Sequence, residues 1–122
     1  MTIMEAINTT DNLKHNTYTY DDKVKWLARL DGRVKREILD THEGRKHHFW
    51  PYDNETDPSA ELLIPEPFDE IYLRWLEAQI DYANGEYSKY NNSIDVFNAL
   101  WQNYVNYYNR NHLPKSRGYR FF

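Results

Sequence analysis

Apolar residues fall on helical spacing along most of the chain. Ile3, Met4 and Ile7 follow Thr2, and Thr2 with Glu5 three residues later forms a capping-box signature, so a short first helix is expected to run to about Thr10. Thr19 then stands before Tyr20-Asp21-Asp22, an N-cap followed by acids in the first turn. Val24, Leu27, Leu30, Val34 and Ile38 recur at steps of three and four behind it. This predicts an amphipathic second helix to about Thr41. Residues Arg45 to Pro67 break the pattern with Pro51, Pro58, Pro65 and Pro67 and the polar run Asp53-Asn54-Glu55-Thr56-Asp57, which predicts a long loop in which Leu62-Leu63-Ile64 returns to the core as an extended piece.

The longest periodic run follows Pro67. Leu73, Leu76, Ile80, Ala83, Tyr87, Tyr90, Ile94, Phe97, Trp101, Tyr104 and Tyr108 alternate three- and four-residue steps, a 3.5-residue period that suits helices packed along their length. Two helices are expected, from Phe68 to about Tyr90 and from Ser93 to about Asn111, with the polar Asn91-Asn92-Ser93 as the break; one kinked helix is the alternative. Pro114 ends the pattern. The expected fold is all-α: a small bundle of about four helices over residues 1–113, with a long loop between the second and third and an extended C-terminal tail, 114–122.

With 122 residues, 40 % of them apolar, the chain supplies one modest core, to which eleven Tyr, five Phe and four Trp contribute heavily. The start of the chain has neither a basic segment nor an apolar signal segment. No apolar run nears the roughly 18 residues of a membrane-spanning helix, so a soluble intracellular protein is expected, with no membrane partner. The absence of cysteine removes disulfides, thiolate metal sites and Cys nucleophiles.

Charge is segregated. The stretch Lys23–Lys46 carries net +4, Asp53–Asp95 carries net −9, and the last thirteen residues, with Arg110, Lys115, Arg117 and Arg120, carry +4. Such blocks either remain solvated or join an acidic surface of one copy to a basic surface of the next, a head-to-tail contact that closes into a ring when its rotation permits. The interface candidates are Lys25, Arg29, Arg33 and Arg36 on one face of the second helix, and Asp69, Glu70, Glu77 and Asp81 on the third. The basic face has no recognition-helix or stacking-sheet motif beside it, and the chain is acidic overall, so a carboxylate-rich protein surface suits it better than a nucleic acid. In the tail, Tyr119, Phe121 and Phe122 alternate with Lys115, Arg117 and Arg120. Such aromatic groups are unfavourable in water, so docking on another chain is expected.

Catalytic patterns are weak. His42-Glu43-Gly44-Arg45-Lys46-His47-His48 lacks the His-Glu-x-x-His spacing that puts two imidazoles on one helix face. A metal-dependent hydrolase built on His42, Glu43, His47 and His48 is therefore disfavoured. No glycine-rich phosphate loop can be written from four glycines, and no serine sits in a nucleophile elbow. No catalytic residue, metal or cofactor is assigned.

Two further segments carry a family resemblance. Tyr20-Asp21-Asp22-Lys23-Val24-Lys25-Trp26-Leu27 leads into Leu30-Asp31-Gly32-Arg33-Val34-Lys35-Arg36-Glu37-Ile38. Leu62-Leu63-Ile64-Pro65-Glu66-Pro67-Phe68-Asp69 then steps into Trp75-Leu76-Glu77-Ala78-Gln79-Ile80-Asp81-Tyr82-Ala83-Asn84-Gly85-Glu86-Tyr87. These stretches are similar to small proteins encoded beside head genes in phages and prophages of Firmicutes, and resemble the head-to-tail connector, or adaptor, family of long-tailed phages. The resemblance implies a non-enzymatic subunit of a dodecameric ring beneath the portal protein, in contact with tail-proximal neck proteins. DNA would meet it only in non-specific passage through the channel, and its place would be the virion neck, after a period in the host cytoplasm. The alternatives are another virion or scaffolding subunit, or a small helical module that regulates a partner by binding it.

Overall fold

Thr2 opens the first helix as its sequence suggests. The Glu5 amide donates to Thr2 Oγ1 at 3.1 Å while the Thr2 amide donates to Glu5 Oε1 at 2.8 Å, closing a capping box. The computed structural model describes residues 1–41 and 51–111, and in them the chain forms α1 (Ile3–Leu13), α2 (Tyr20–Glu37), α3 (Glu70–Ala83) and α4 (Tyr87–Asn111), with a short 3₁₀ turn at Leu39–Thr41. The fold is an all-α bundle of four helices. α1 runs a turn beyond the expected Thr10. It stops where Asn16 folds back, its side-chain amide donating to Asp11 and to the Lys14 carbonyl while its oxygen accepts from the Tyr18 amide.

Thr19 caps α2 by accepting from the Asp22 amide at 3.1 Å, and Val24, Leu27, Leu30, Val34 and Ile38 are all buried. The α-helix itself ends at Glu37, short of the expected Thr41. From there the Thr41 hydroxyl bonds the Ile38 carbonyl at 2.8 Å and tightens the chain into the 3₁₀ turn. Beyond residue 50 the loop crosses the start of α1. The Ile3 and Met4 amides, which a helix start leaves without intrahelical acceptors, donate to the Ala60 and Pro58 carbonyls, and Leu62 donates to the Met1 carbonyl. Thr2 and Glu61 form an isolated antiparallel bridge, and Leu62 and Ile64 are buried, so the Leu62-Leu63-Ile64 stretch docks on the core as expected.

The break between the last two helices is at Asn84-Gly85-Glu86, not at Asn91-Asn92-Ser93. Gly85 has φ +76°, the left-handed conformation in which only glycine is free of a Cβ penalty. The Glu86 amide bonds the Asp81 carbonyl at 2.9 Å and the Gly85 amide bonds the Tyr82 carbonyl at 3.0 Å, a Schellman stop. Asn91 and Asn92 lie exposed inside α4, while Ser93 turns inward. The apparent heptad run is therefore two facing stripes. Leu76 of α3 shares the core with Phe97, Trp101, Tyr104 and Tyr108 of α4 and Ile80 is buried as well, while Ala83 and Tyr87 at the turn stay exposed.

Cross-helix contacts fix the directions. Lys14 reaches Asp81, so α1 runs alongside α3 in the same sense. Trp75 Nε1 donates to the Trp26 carbonyl at 2.8 Å and Tyr18 to Asn84 at 2.6 Å, so α2 runs against it. The ring pairs Trp75–Phe97 and Phe68–Tyr104 set α4 antiparallel to α3 as well. The order is up-down-up-down with α3 in the middle, packed on all three others, and one apolar core runs through α1, α2, the loop, α3 and α4.

Candidate assembly surfaces and the buried carboxylate behind them

The side of α2 opposite its apolar stripe brings three of the four predicted basic residues to the surface. Lys25, Arg29 and Arg36 are exposed at helical spacing. Arg33 is half-buried: its guanidinium lies 4.2 Å from the Trp101 ring centroid on α4, and its Nε donates to Glu37 at 3.2 Å, so it ties α2 to α4 instead of projecting freely.

The acidic candidates do not form one face. Glu70 and Glu77 hold the Arg74 guanidinium between them, at 2.9 Å each, and together keep it above its usual value, with Glu77 the larger influence. Asp81 is no surface residue: it is 0 % exposed, accepts from Lys14 Nζ at 2.9 Å and from Ser93 Oγ at 3.0 Å, and joins three helices from inside. As a subunit-interface candidate it is withdrawn, because its carboxylate points into its own bundle. Asp69 alone of the four joins a surface feature, a groove of about 400 Å³ lined also by Met1, Glu5, Thr9, Glu61 and Glu66, in which the Met1 ammonium lies 3.7 Å from Asp69 and 4.0 Å from Glu61 and leaves the four carboxylates in excess. The groove forms because the loop crosses the start of α1, which brings carboxylates distant in sequence onto one rim.

Behind these surfaces lies a second carboxylate that the charge count treats as one of four acids in a basic stretch. Asp31 is 0 % exposed. Tyr52 and Tyr72 each donate to it at 2.6 Å and the Leu63 amide at 3.1 Å, while the Tyr72 oxygen accepts from the Ile64 amide at 2.7 Å. One side chain of α2 thereby anchors the loop at Tyr52 and Leu63 and holds α3 through Tyr72. Burial raises the Asp31 carboxyl above its ordinary value, opposed by the hydrogen bonds from Tyr52, Tyr72 and Leu63. Desolvation first, and then the Asp31 charge, push both tyrosines well above the usual phenol range. Such a carboxylate, fully enclosed by phenols and an amide, holds structure and has no open position for a substrate. The signal for it was positional: Asp31 falls on the apolar stripe, four residues after Leu27 and three before Val34.

The His42–His48 cluster and the tail candidates Lys115, Arg117, Tyr119, Arg120, Phe121 and Phe122 lie outside the described residues. Among the described residues, no three His, Asp or Glu side chains are placed to hold a metal ion, and no helix is long and apolar enough to cross a membrane. No family model, curated protein or solved structure matches the chain.

Proposed function

We propose that the protein is a structural assembly subunit, a head-to-tail connector of a long-tailed phage that forms a ring below the portal and extends the DNA channel. The observation that carries this reading is the separation of opposite charges on one small bundle. Exposed Lys25, Arg29 and Arg36 line the outside of α2, and the groove rimmed by Glu5, Glu61, Glu66 and Asp69 lies where the loop covers α1. A basic stripe on one copy and an acidic groove on the next make a heterologous contact, which closes into a ring or propagates according to its rotation. The resemblance of the Leu62–Asp69 and Trp75–Tyr87 segments to phage head-cluster proteins gives the same direction. A channel wall with few free cations also suits DNA passage, because many basic contacts to phosphate would retain the moving duplex.

Light scattering and electron microscopy of the purified chain, alone and with the portal protein of the same phage, test the proposal. A ring, formed alone or on the portal and lost in an R29E/R36E variant, is the expected result, with association regained when E61K/E66K subunits are added. A chain that stays monomeric in the presence of the portal would sink it.

A further inference from the structure

The end of the bundle where α3 turns into α4 carries an aromatic patch. Tyr82 and Tyr87 are 58 % and 59 % exposed, and the Tyr82 ring centroid lies 5.6 Å from that of Tyr87 and 5.3 Å from that of Tyr90. Clustered tyrosines offer large, stiff, amphipathic contact area at small entropic cost, which is why binding surfaces favour them.

The charge around this end is one-sided. Three of its described lysines are already paired, Lys14 with Asp81, Lys23 with Asp11 and Lys89 with Glu86, all within 2.9 Å, while Lys25, one turn into α2, is exposed. Asp21 and Asp22 at the start of α2 and Asp95 in the first third of α4 have no ion pair among the described residues. The aromatic patch thus lies at an end of the bundle that also carries the start of α2, with Asp21 and Asp22 in its first turn.

One segment of this chain has the complementary chemistry. Residues 117–122, Arg-Gly-Tyr-Arg-Phe-Phe, combine three aromatic rings with two guanidinium groups and no acid. They follow Asn111, at the opposite end of α4. The 25 residues of α4 separate the two ends by about 36 Å at 1.5 Å per residue. Eleven residues beyond Asn111 span at most about 36 to 40 Å even when fully extended. Within one copy Phe121 and Phe122 would come to Tyr87 only with the chain drawn out almost fully, and Arg117 and Tyr119 would fall short of it, whereas a neighbouring copy can deliver the whole segment without stretching it.

We infer that the Tyr82, Tyr87 and Tyr90 patch of one copy receives residues 117–122 of the next, with Tyr119, Phe121 and Phe122 packing among the tyrosines and Arg117 and Arg120 lying over their rings or against the carboxylates at the start of α2. This rests on the reading of the protein as a self-assembling subunit and names a second contact, which each interface needs together with the α2 stripe and the acidic groove for the copies to associate. The contact is heterologous, so each copy offers one patch and one segment.

The test uses two full-length variants, Y82S/Y87S and Y119S/F121S/F122S. The first changes side chains that are more than half exposed, and thermal unfolding by circular dichroism checks that both keep the wild-type midpoint. In analytical ultracentrifugation the wild type associates, more weakly as salt is raised, and each variant alone has lost that association. An equimolar mixture forms a one-to-one heterodimer and nothing larger, because a single intact patch meets a single intact segment. A mixture that yields no heterodimer overturns the inference. So does a Y82S/Y87S variant that associates like the wild type, an outcome that leaves the proposed function standing through the charged contact.

Discussion

Tyr72 donates its hydroxyl hydrogen to Asp31 across 2.6 Å in the middle of the bundle, and both side chains are wholly buried. The same oxygen accepts the Ile64 amide, so one phenol links α2, α3 and the loop. Tyr72→Phe removes a donor from a buried carboxylate and an acceptor from a buried amide at once. The expected loss is about 2 to 4 kcal/mol in urea unfolding. Tyr52→Phe, at a half-buried ring, should cost less, about 1 to 2 kcal/mol. Equal losses for the two would show that the Ile64 link contributes nothing.

Asp31 also predicts a pH dependence of unusual sign. Burial raises its carboxyl in the folded state above the ordinary 3.8, so between that value and the raised one the folded chain binds more protons than the unfolded chain. Stability from this group therefore falls as pH rises through the window and is flat above it. Glu86, held low chiefly by its hydrogen bond from Lys89, acts in the opposite sense, its contribution present above the ordinary 4.5 and lost in acid. The difference between wild type and D31N isolates the first effect: wild type should gain on the variant as pH is lowered from 7 toward 4. A difference that shrinks over that range would contradict the raised value.

The helices are legible in the sequence because their determinants are local. Thr2 with Glu5 and Thr19 with Asp22 lie within one turn, and the Val24–Ile38 stripe needs only the helical period. The break before α4 is also local, but two signals compete for it. Asn91-Asn92-Ser93 reads as a polar interruption, yet a helix tolerates exposed polar residues, whereas Gly85 supplies a backbone conformation that ends one. The three-residue turn happens to preserve the heptad count, which hides it from a periodicity argument. The buried polar groups are not legible in this way. The partners of Asp31 lie 21, 32 and 41 residues away and Lys14 lies 67 residues from Asp81, so only the folded chain reveals which charges have left the surface. The acidic groove is hidden for the same reason, since Glu5 is explained locally by its cap until the loop lays Glu61 and Glu66 beside it.

Gly85→Ala isolates backbone strain. A Cβ at this position would meet no atom within 4 Å, so packing contributes nothing to the change and the left-handed φ of +76° contributes all of it. The expected loss is about 1 to 2 kcal/mol by chemical denaturation. Gly85→Asn should lose less, because asparagine visits this conformation more readily. A neutral alanine variant would mean that the turn relaxes to another geometry.

The Lys14–Asp81 pair gives the sharpest test of the bundle's interior. Its two members are unequal: the Asp81 side chain is 1 % exposed and Lys14 27 %, so the lysine retains water when the pair is broken and the carboxylate does not. Lys14→Met should therefore cost about 2 to 4 kcal/mol, since it leaves a buried charge whose remaining side-chain hydrogen bond among the described residues comes from the Ser93 hydroxyl. Asp81→Asn keeps an oxygen for Ser93 and leaves Lys14 to water, so its cost should be smaller. In the double variant K14M/D81N the buried charge is gone, and the chain should be more stable than K14M alone. A double-mutant cycle in urea measures this. If the two losses simply add, the carboxylate is not held in place by Lys14, and the tie between α1 and α3 must come from the apolar contacts of Ile3, Ala6 and Ile7 instead.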